Sequence, residues 1–99
     1  MKIYLAGRYI RRRELCVYAD ELRAVGHEVT SHWLLGLNEV SDLTATQDEQ
    51  AVFAAEDVID IARADAVLAF TEYGKEWSRG GRHVEVGLAL GMGKRVFIV

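Results

Sequence analysis

The sequence contains no proline and a single cysteine, Cys16, among its 99 residues. One cysteine excludes an internal disulfide and a cysteine-based zinc cluster, and favours a reducing cytoplasm. The net charge of −3 argues against general binding to polymeric nucleic acid, which usually needs a basic domain. No apolar run reaches the roughly 20 residues of a membrane span, and the first apolar stretch is too short for a signal peptide. We therefore expect a cytoplasmic protein that binds neither membranes nor nucleic-acid polymers.

The composition is that of an ordinary globular domain, with 51% hydrophobic and 27% charged residues. This apolar content is sufficient to offset the entropy lost on folding, so the chain is not predicted to be disordered. The length suits one domain with one modest core, and no repeat or linker-like stretch divides it. We expect a single domain over residues 1–99.

Short apolar runs alternate with stretches of helical periodicity, a pattern typical of a parallel α/β sheet. The predicted strands cover 3–6, 27–31, 66–70 and 95–99; the predicted helices cover 11–25, 48–64 and 82–92. Gly26 and Gly93 are placed to end the first and third helices. Residues 34–47 show no clear period and are interpreted as a loop. The prediction is a doubly wound, flavodoxin-like or Rossmann-like sheet of order 2-1-3-4 with three helices.

In such sheets a ligand binds beyond the carboxyl ends of the strands, where the strand order reverses. That point falls here between the first and third strands. The loops at 7–10 and 71–81 are therefore expected to meet at one crevice, and the polar residues in and near them are the first candidates for a binding site.

Basic residues follow Gly7 at the start of the first helix. Arginines at a helix N-terminus oppose the macrodipole, whereas a bound anion would reverse the sign of that effect. The residues concerned are Arg8, Arg11, Arg12 and Arg13. They indicate either a phosphate- or carboxylate-binding site or a solvated run of charge in which Glu14 pairs with a neighbour. No P-loop motif is present, which disfavours hydrolysis of nucleoside triphosphates.

The start of the third helix combines glycines with an acid. Gly80 and Gly81 permit close approach of the backbone to a ligand. Glu85 follows on a largely apolar face, where a carboxylate is costly unless it is partnered or functional. Gly87 and Gly91 are expected to let this helix approach the sheet or another helix closely.

The second helix carries another candidate acid, Asp57, beside its predicted inward face. That face is assigned Phe53, Val58, Ile61 and Ala62, whereas Glu56 and Asp60 are predicted to face solvent. Asp65 is expected to bond backbone at the turn into the third strand. Two acids near a glycine-lined crevice suit glycosidic chemistry, in which one carboxylate stabilises or attacks an anomeric carbon. Spacing alone does not bring them together.

Three stretches together resemble the nucleoside 2-deoxyribosyltransferase family, including its deoxynucleoside 5′-monophosphate N-glycosidases. They are YLAG at 4–7, EDVIDI at 56–61 with ADAVL at 64–68, and GRHVEVGLALGMGK at 81–94. The likeness spans nearly the whole chain, and the third stretch is the most specific. It implies cleavage of the N-glycosidic bond of a nucleoside or nucleotide, with transfer of the glycosyl group to another base or to water.

The resemblance also implies residue roles. It makes Glu85 the nucleophile, Asp57 the group that binds or protonates the base, and Tyr4 the residue that orients the nucleophile. Arg79, with Ser78 beside it, departs from the aspartate that transferases of free nucleosides carry at this position. Together with the arginines near the first helix, this departure suggests a 5′-phosphate. No metal or organic cofactor is implied. Because relatives assemble with their sites near subunit boundaries, we expect a homodimer or larger homo-oligomer.

Two other interpretations remain open. The same crevice would also suit a non-catalytic nucleotide-binding or sensor module, and the arginines alone would suit a domain that contacts an acidic partner. Trp33, just after the second strand, is either a stacking platform for a base or a core residue at the sheet edge.

Overall fold

The computed structural model describes the backbone of residues 1–35, 47–70 and 81–99, and all their side chains except those of 47–53 and 81–84. The strands are β1 (Lys2–Ala6), β2 (Glu28–Val29), β3 (Ala66–Ala69) and β4 (Arg95–Ile98). The α-helices are α1 (Arg12–Ala24), α2 (Gln47–Arg63) and α3 (Gly81–Gly91). Short 3₁₀ helices cover Tyr9–Arg11 and His32–Leu35. Most of the predicted loops at 34–47 and 71–81 lie outside the described residues.

The four strands form one parallel sheet in the order β2-β1-β3-β4, which confirms the predicted topology. β1 pairs with β3 from Ile3 opposite Ala66 to Ala6 opposite Ala69. β2 therefore lies on one side of β1 in the sheet, and β3 lies on the other side. This arrangement places the carboxyl ends of β1 and β3 side by side, where ligands bind in sheets of this kind.

Alternate side chains of β1 point to opposite faces of the sheet. Ile3 and Leu5 pack against α1, in a cluster that includes Leu15 and Ala19. Tyr4 and Ala6 pack on the other face of the sheet. The other buried residues of that cluster are Ile61 in α2, Ala64 directly after α2, Val67 in β3 and Ala89 in α3. The core thus lies on both faces of the sheet, and Tyr4 belongs to the face that α2 and α3 cover.

β2 is shorter than predicted, because the chain leaves the sheet after two residues. Thr30 still donates its backbone N–H to Ile3 O at 2.9 Å, but the next contact is made by a side chain. The Ser31 hydroxyl accepts a hydrogen bond from the backbone N–H of Leu5 at 2.6 Å. Beyond the end of β2, the Ser31 side chain therefore takes the place of a strand backbone beside β1. It satisfies the buried backbone N–H of Leu5.

The predicted inward face of α2 is partly wrong. Val58 is 43% exposed and Ala62 is also exposed, whereas Ile61 is fully buried as predicted. Asp60, predicted to face solvent, is only 1% exposed. The residues of α2 that face the sheet are at positions 57, 60 and 61, and the stripe continues to Ala64 directly after the helix. Asp60 is on this stripe, so it faces inward. Its burial is tolerated because its carboxylate has hydrogen-bonding partners.

The glycines behave differently from one another. Gly26 and Gly93 have φ values of +98° and +75°, the left-handed conformation that ends α1 and α3 as predicted. Gly87 and Gly91 are exposed, and an ideal Cβ at either position meets nothing within 4 Å. Of the two alternatives, close approach to the sheet is therefore wrong, because the buried face of α3 is the one that carries Ala89. Close approach to a helix of another subunit stays a prediction.

Two smaller predictions about local contacts are confirmed. Asp65 accepts a hydrogen bond from the backbone N–H of Lys2 at 2.8 Å. Glu14 forms an ion pair with Arg11.

Within the described ranges, none of the helices has the length and apolar character needed to cross a bilayer.

Candidate active site

Tyr4 and Glu85 meet at the carboxyl end of the sheet. Tyr4 is fully buried in β1, and its hydroxyl donates a hydrogen bond to Glu85 Oε2. Glu85 lies one turn before the buried Ala89 in α3, so its half-buried side chain shares the face of the helix that meets the sheet. The helix begins at the carboxyl end of the strands, which places Glu85 there. The carboxylate of Glu85 in α3 is thus held by the phenol of Tyr4 in β1.

The environment of Tyr4 is strongly unfavourable to the phenolate. Burial raises its pKa well above the ordinary value, and the charge of Glu85, the charge of Asp57 and the hydrogen bond to Glu85 raise it further. The buried Asp60 adds a smaller effect of the same sign. The phenol therefore keeps its proton at neutral pH and remains a hydrogen-bond donor to Glu85.

Asp57 approaches the same tyrosine from α2. Its side chain is half-buried, and its charge is near enough to raise the pKa of Tyr4. The structure thus brings Asp57, Glu85 and Tyr4 into one neighbourhood from three separate elements. These are the three residues to which the sequence resemblance attached catalytic roles, and each role remains a proposal.

A polar network beside this trio was missed by the sequence reasoning. Asp60 Oδ2 accepts the backbone N–H of His32 at 2.9 Å, and Asp60 Oδ1 lies 2.6 Å from His32 Nδ1. The Thr30 hydroxyl donates to the carbonyl oxygen of Asp60 at 2.9 Å. Two features of the sequence point to this network: the polar run Thr30-Ser31-His32 directly after a strand, and the spacing of three between Asp57 and Asp60.

Trp33 lies beside this network at the sheet edge. Its indole N–H donates to the backbone carbonyl of Leu5 at 2.9 Å, and its half-buried ring packs against the clusters on both faces of the sheet. The indole donor is therefore used within the fold. A contact between the exposed part of the ring and a base remains a proposal.

Gly7 ends β1 at a tightly packed point. A Cβ added there would lie 2.8 Å from Leu15 Cδ1 and 3.6 Å from Phe70 Cβ. A side chain at position 7 would therefore require the buried Leu15 side chain to shift. This crowding is a structural reason for the glycine.

The arginines after Gly7 are engaged with neighbouring side chains. Arg11 forms hydrogen bonds to Glu14, which lower the pKa of that carboxyl, and its guanidinium lies 5.7 Å from the centre of the Phe70 ring. Arg8 is half-buried, and its carbonyl accepts the backbone N–H of Arg11 at 2.9 Å. Both residues lie near the carboxyl end of β1, where an anion-binding role was predicted.

Four further candidates are residues 78–81. Gly81 is the first residue of α3. Ser78, Arg79 and Gly80 fall outside the described residues, and their suggested contacts with substrate stay predictions.

The fold and the site define a class of protein. A doubly wound sheet with a phenol-bound glutamate and a nearby aspartate at its carboxyl edge has the pair of carboxyl groups that glycosidic chemistry uses. The family model for nucleoside 2-deoxyribosyltransferases matches residues 3–99. The chain therefore belongs to this family of enzymes, which confirms the resemblance recognised in the sequence.

Solved structures agree with this assignment. A 2-deoxyribosyltransferase from Bacillus psychrosaccharolyticus superposes with a TM-score of 0.76 at 25% identity, over 99% of this chain and 71% of that chain. The CMP N-glycosidase BcmB from Clostridium botulinum has a TM-score of 0.60 at 24% identity, covering 99% and 70%. A 2-deoxyribosyltransferase from Leishmania mexicana has a TM-score of 0.60 at 18% identity, covering 98% and 62%. The last two establish similarity of fold alone. No curated protein is significantly similar in sequence.

Proposed function

We propose that this enzyme cleaves the N-glycosidic bond of a 2′-deoxynucleoside or its 5′-monophosphate, with Glu85 as the nucleophile. The hydrogen bond from Tyr4 to Glu85 beside Asp57 is the observation that supports this reaction. The hydroxyl holds Oε2, which orients the carboxylate of the glutamate for attack. Because the raised pKa of Tyr4 keeps the phenol protonated, the nucleophile is held without being repelled by a phenolate.

In the first step a carboxylate oxygen of Glu85 forms a bond to C1′ as the C1′–N bond to the base breaks. The electron pair of the broken bond leaves with the base, which Asp57 binds or protonates. The product is a glycosyl ester of Glu85. In the second step water or the nitrogen of a second base attacks C1′, loses a proton, and releases the glutamate. Water gives hydrolysis, and a base gives transfer.

The 5′ position of the sugar is proposed to carry a phosphate. Arg8 and Arg11 lie near the carboxyl end of β1, and Gly81 begins α3, whose N-terminus favours an anion. Ser78, Arg79 and Gly80 directly precede that helix in the sequence. The guanidinium of Arg11 is already bonded to Glu14. On binding, it would contact the phosphate either in place of Glu14 or in addition to it.

The decisive experiment is chromatographic identification of products. 2′-Deoxynucleosides and their 5′-monophosphates are incubated with the protein, with and without a second free base. Free base alone indicates hydrolysis, and an exchanged nucleoside indicates transfer. Glu85→Gln should reduce turnover by about a thousand-fold or more. The matched control is Glu56→Gln, which alters an exposed glutamate of α2 and should leave turnover unchanged.

A result without free base would favour the non-catalytic alternative. A nucleotide-binding module would still show a rise in melting temperature with nucleotide, since a ligand at 100 times its Kd stabilises the folded state by about 2.7 kcal/mol. Near-normal base release by Glu85→Gln would contradict the assignment of the nucleophile while leaving the enzyme class intact.

We also propose that the protein assembles into a homodimer or larger homo-oligomer. The outer surface of α3 exposes Gly87, Gly91 and Leu90, whose exposed fraction is 60%. A helix with two small residues four positions apart can approach another helix closely. Light scattering after size-exclusion chromatography measures the assembly state, and Gly87→Glu should shift it towards monomer. A monomeric unaltered protein at micromolar concentration would contradict the proposal.

A further inference from the structure

Asp60 fixes the position and orientation of His32. Both carboxylate oxygens of this buried residue are used, one by the backbone N–H of His32 and the other by its ring nitrogen Nδ1 at 2.6 Å. Thr30, two residues earlier, donates to the Asp60 carbonyl. The segment from Thr30 to His32 is therefore held to α2 by three contacts with a single residue.

These contacts determine which nitrogen of the ring carries hydrogen. A carboxylate oxygen accepts but does not donate, so Nδ1 bears the hydrogen in the contact with Asp60. In the neutral ring Nε2 is then an acceptor. The side chain of His32 remains 49% exposed although its partner carboxylate is 2% exposed. The ring thus has one edge fixed inside the protein and the other edge accessible.

His32 is linked to the neighbourhood of Asp57 through Asp60. Asp57 and Asp60 are three positions apart on α2, and residues at that spacing have Cβ atoms roughly 5–6 Å apart on one helix face. Both carboxylates are close enough to Tyr4 to raise its pKa. His32, bonded to Asp60, is consequently held within about one helical turn of the aspartate that the proposed function assigns to the base.

We propose that His32, held by Asp60, determines base specificity: its Nε2 accepts a hydrogen bond from an exocyclic amino group of the base. This inference rests on the proposed function. An acceptor at this position favours cytosine over uracil, or adenine over hypoxanthine, because the keto base presents an oxygen where the amino base presents N–H. Two acceptors facing each other leave both without a donor, which is costly because the bound base displaces the water that would otherwise supply one.

The test compares kcat/KM for paired substrates that differ only in this group, the 2′-deoxynucleoside 5′-monophosphates of cytosine and uracil and those of adenine and hypoxanthine. His32→Asn places an amide N–H near the Nδ1 position, so it keeps the bond to Asp60 while removing Nε2. It should lower the amino-to-keto ratio of kcat/KM by about 10- to 100-fold for the preferred pair. His27→Asn, which alters the histidine at the opposite end of β2 from His32, should leave the ratio unchanged.

Asp60→Asn provides an independent variant with a distinctive outcome. The single amide oxygen must accept the backbone N–H of His32, so the amide NH₂ faces Nδ1 and makes it an acceptor. The hydrogen then moves to Nε2, which becomes a donor. The preference should shift towards the keto base. A residue with a purely structural role would lower kcat/KM for both substrates together and leave their ratio unchanged.

The outcomes separate the two proposals. Base release by the unaltered protein, without preference for amino bases or with ratios unchanged in both variants, overturns the role of His32 and leaves the proposed function standing. No base release by the unaltered protein contradicts the proposed function and overturns the specificity proposal that rests on it. Should His32→Asn lower the melting temperature too far for assay, the ratio in Asp60→Asn decides.

Discussion

Tyr4 and Glu85, 81 positions apart in the chain, are joined by a hydrogen bond from the phenol to the carboxylate. β1 supplies the buried donor and α3 supplies the acceptor at the edge of the sheet where ligands bind. The relationship has consequences for activity and for stability, because the same phenol holds a proposed nucleophile and is itself forced to remain neutral by its surroundings.

Removing this hydroxyl should affect catalysis more than folding. Tyr4→Phe keeps the ring in the core but leaves Glu85 Oε2 without its phenolic donor. A hydrogen bond to a charged group contributes about 1.5–3 kcal/mol, so kcat should fall roughly 10- to 100-fold with a smaller change in KM. Steady-state kinetics of base release measure the change. Tyr18→Phe, at an exposed tyrosine of α1, is the control, and an equal loss in both variants would contradict the role of Tyr4.

The raised pKa of Tyr4 predicts a loss of stability at alkaline pH. The unfolded chain ionises this tyrosine near its ordinary pKa of about 10, whereas the folded protein keeps the proton to higher pH. The contribution to stability is therefore fully present below pH 10 and declines as pH rises towards the folded pKa, by up to about 1.4 kcal/mol per pH unit. Urea unfolding between pH 8 and 11 should show a shallower decline for Tyr4→Phe. Parallel curves for the two proteins would contradict the raised pKa.

The burial of Asp60 predicts a large effect at a position that sequence alone assigned to solvent. Asp60→Ala leaves the backbone N–H and ring nitrogen of His32 without their partner. The free energy of unfolding should fall by about 2–4 kcal/mol. Glu56→Ala, at an exposed acid on the same helix, should change it by no more than about 0.5 kcal/mol. Similar losses in both variants by urea unfolding would show that Asp60 is not buried in this network.

The close contact at Gly7 predicts a coupling with Leu15. A methyl group at position 7 would lie 2.8 Å from Leu15 Cδ1, and Leu15 is fully buried and has little room to move. Gly7→Ala should destabilise the fold by about 1–3 kcal/mol. In a background that carries Leu15→Ala the same substitution should cost less, because the opposing methyl group is absent. Additive losses in the double-mutant cycle would exclude this contact as the reason for the glycine.

Much of the architecture follows from patterns that are local in the sequence. The apolar run 66–70 and the alternation of strand and helix periods predict the elements, and the right-handed connections of parallel sheets then leave few orders, of which 2-1-3-4 is the one observed. Gly26 and Gly93 mark helix ends because a left-handed residue is needed there. The family likewise follows from short motifs, of which the one around Glu85 is the most specific.

Other features depend on contacts between residues distant in the chain. Whether Asp57 and Glu85 share a neighbourhood depends on how α2 and α3 pack on β1, which no spacing within either helix specifies. The phase of α2 is a particular case. Its apolar residues are compatible with several inward stripes, and the stripe that carries Asp60 is selected because Thr30 and His32 provide polar partners there.

The order of strands, the helix ends and the family therefore came from the sequence by itself, since each rests on a local period or a short motif. Only the tertiary structure decided that Tyr4 holds Glu85 and that a buried Asp60 holds His32. Hydrogen bonds between side chains require positions and orientations to match within a fraction of an ångström, and that match arises only when separate elements pack together.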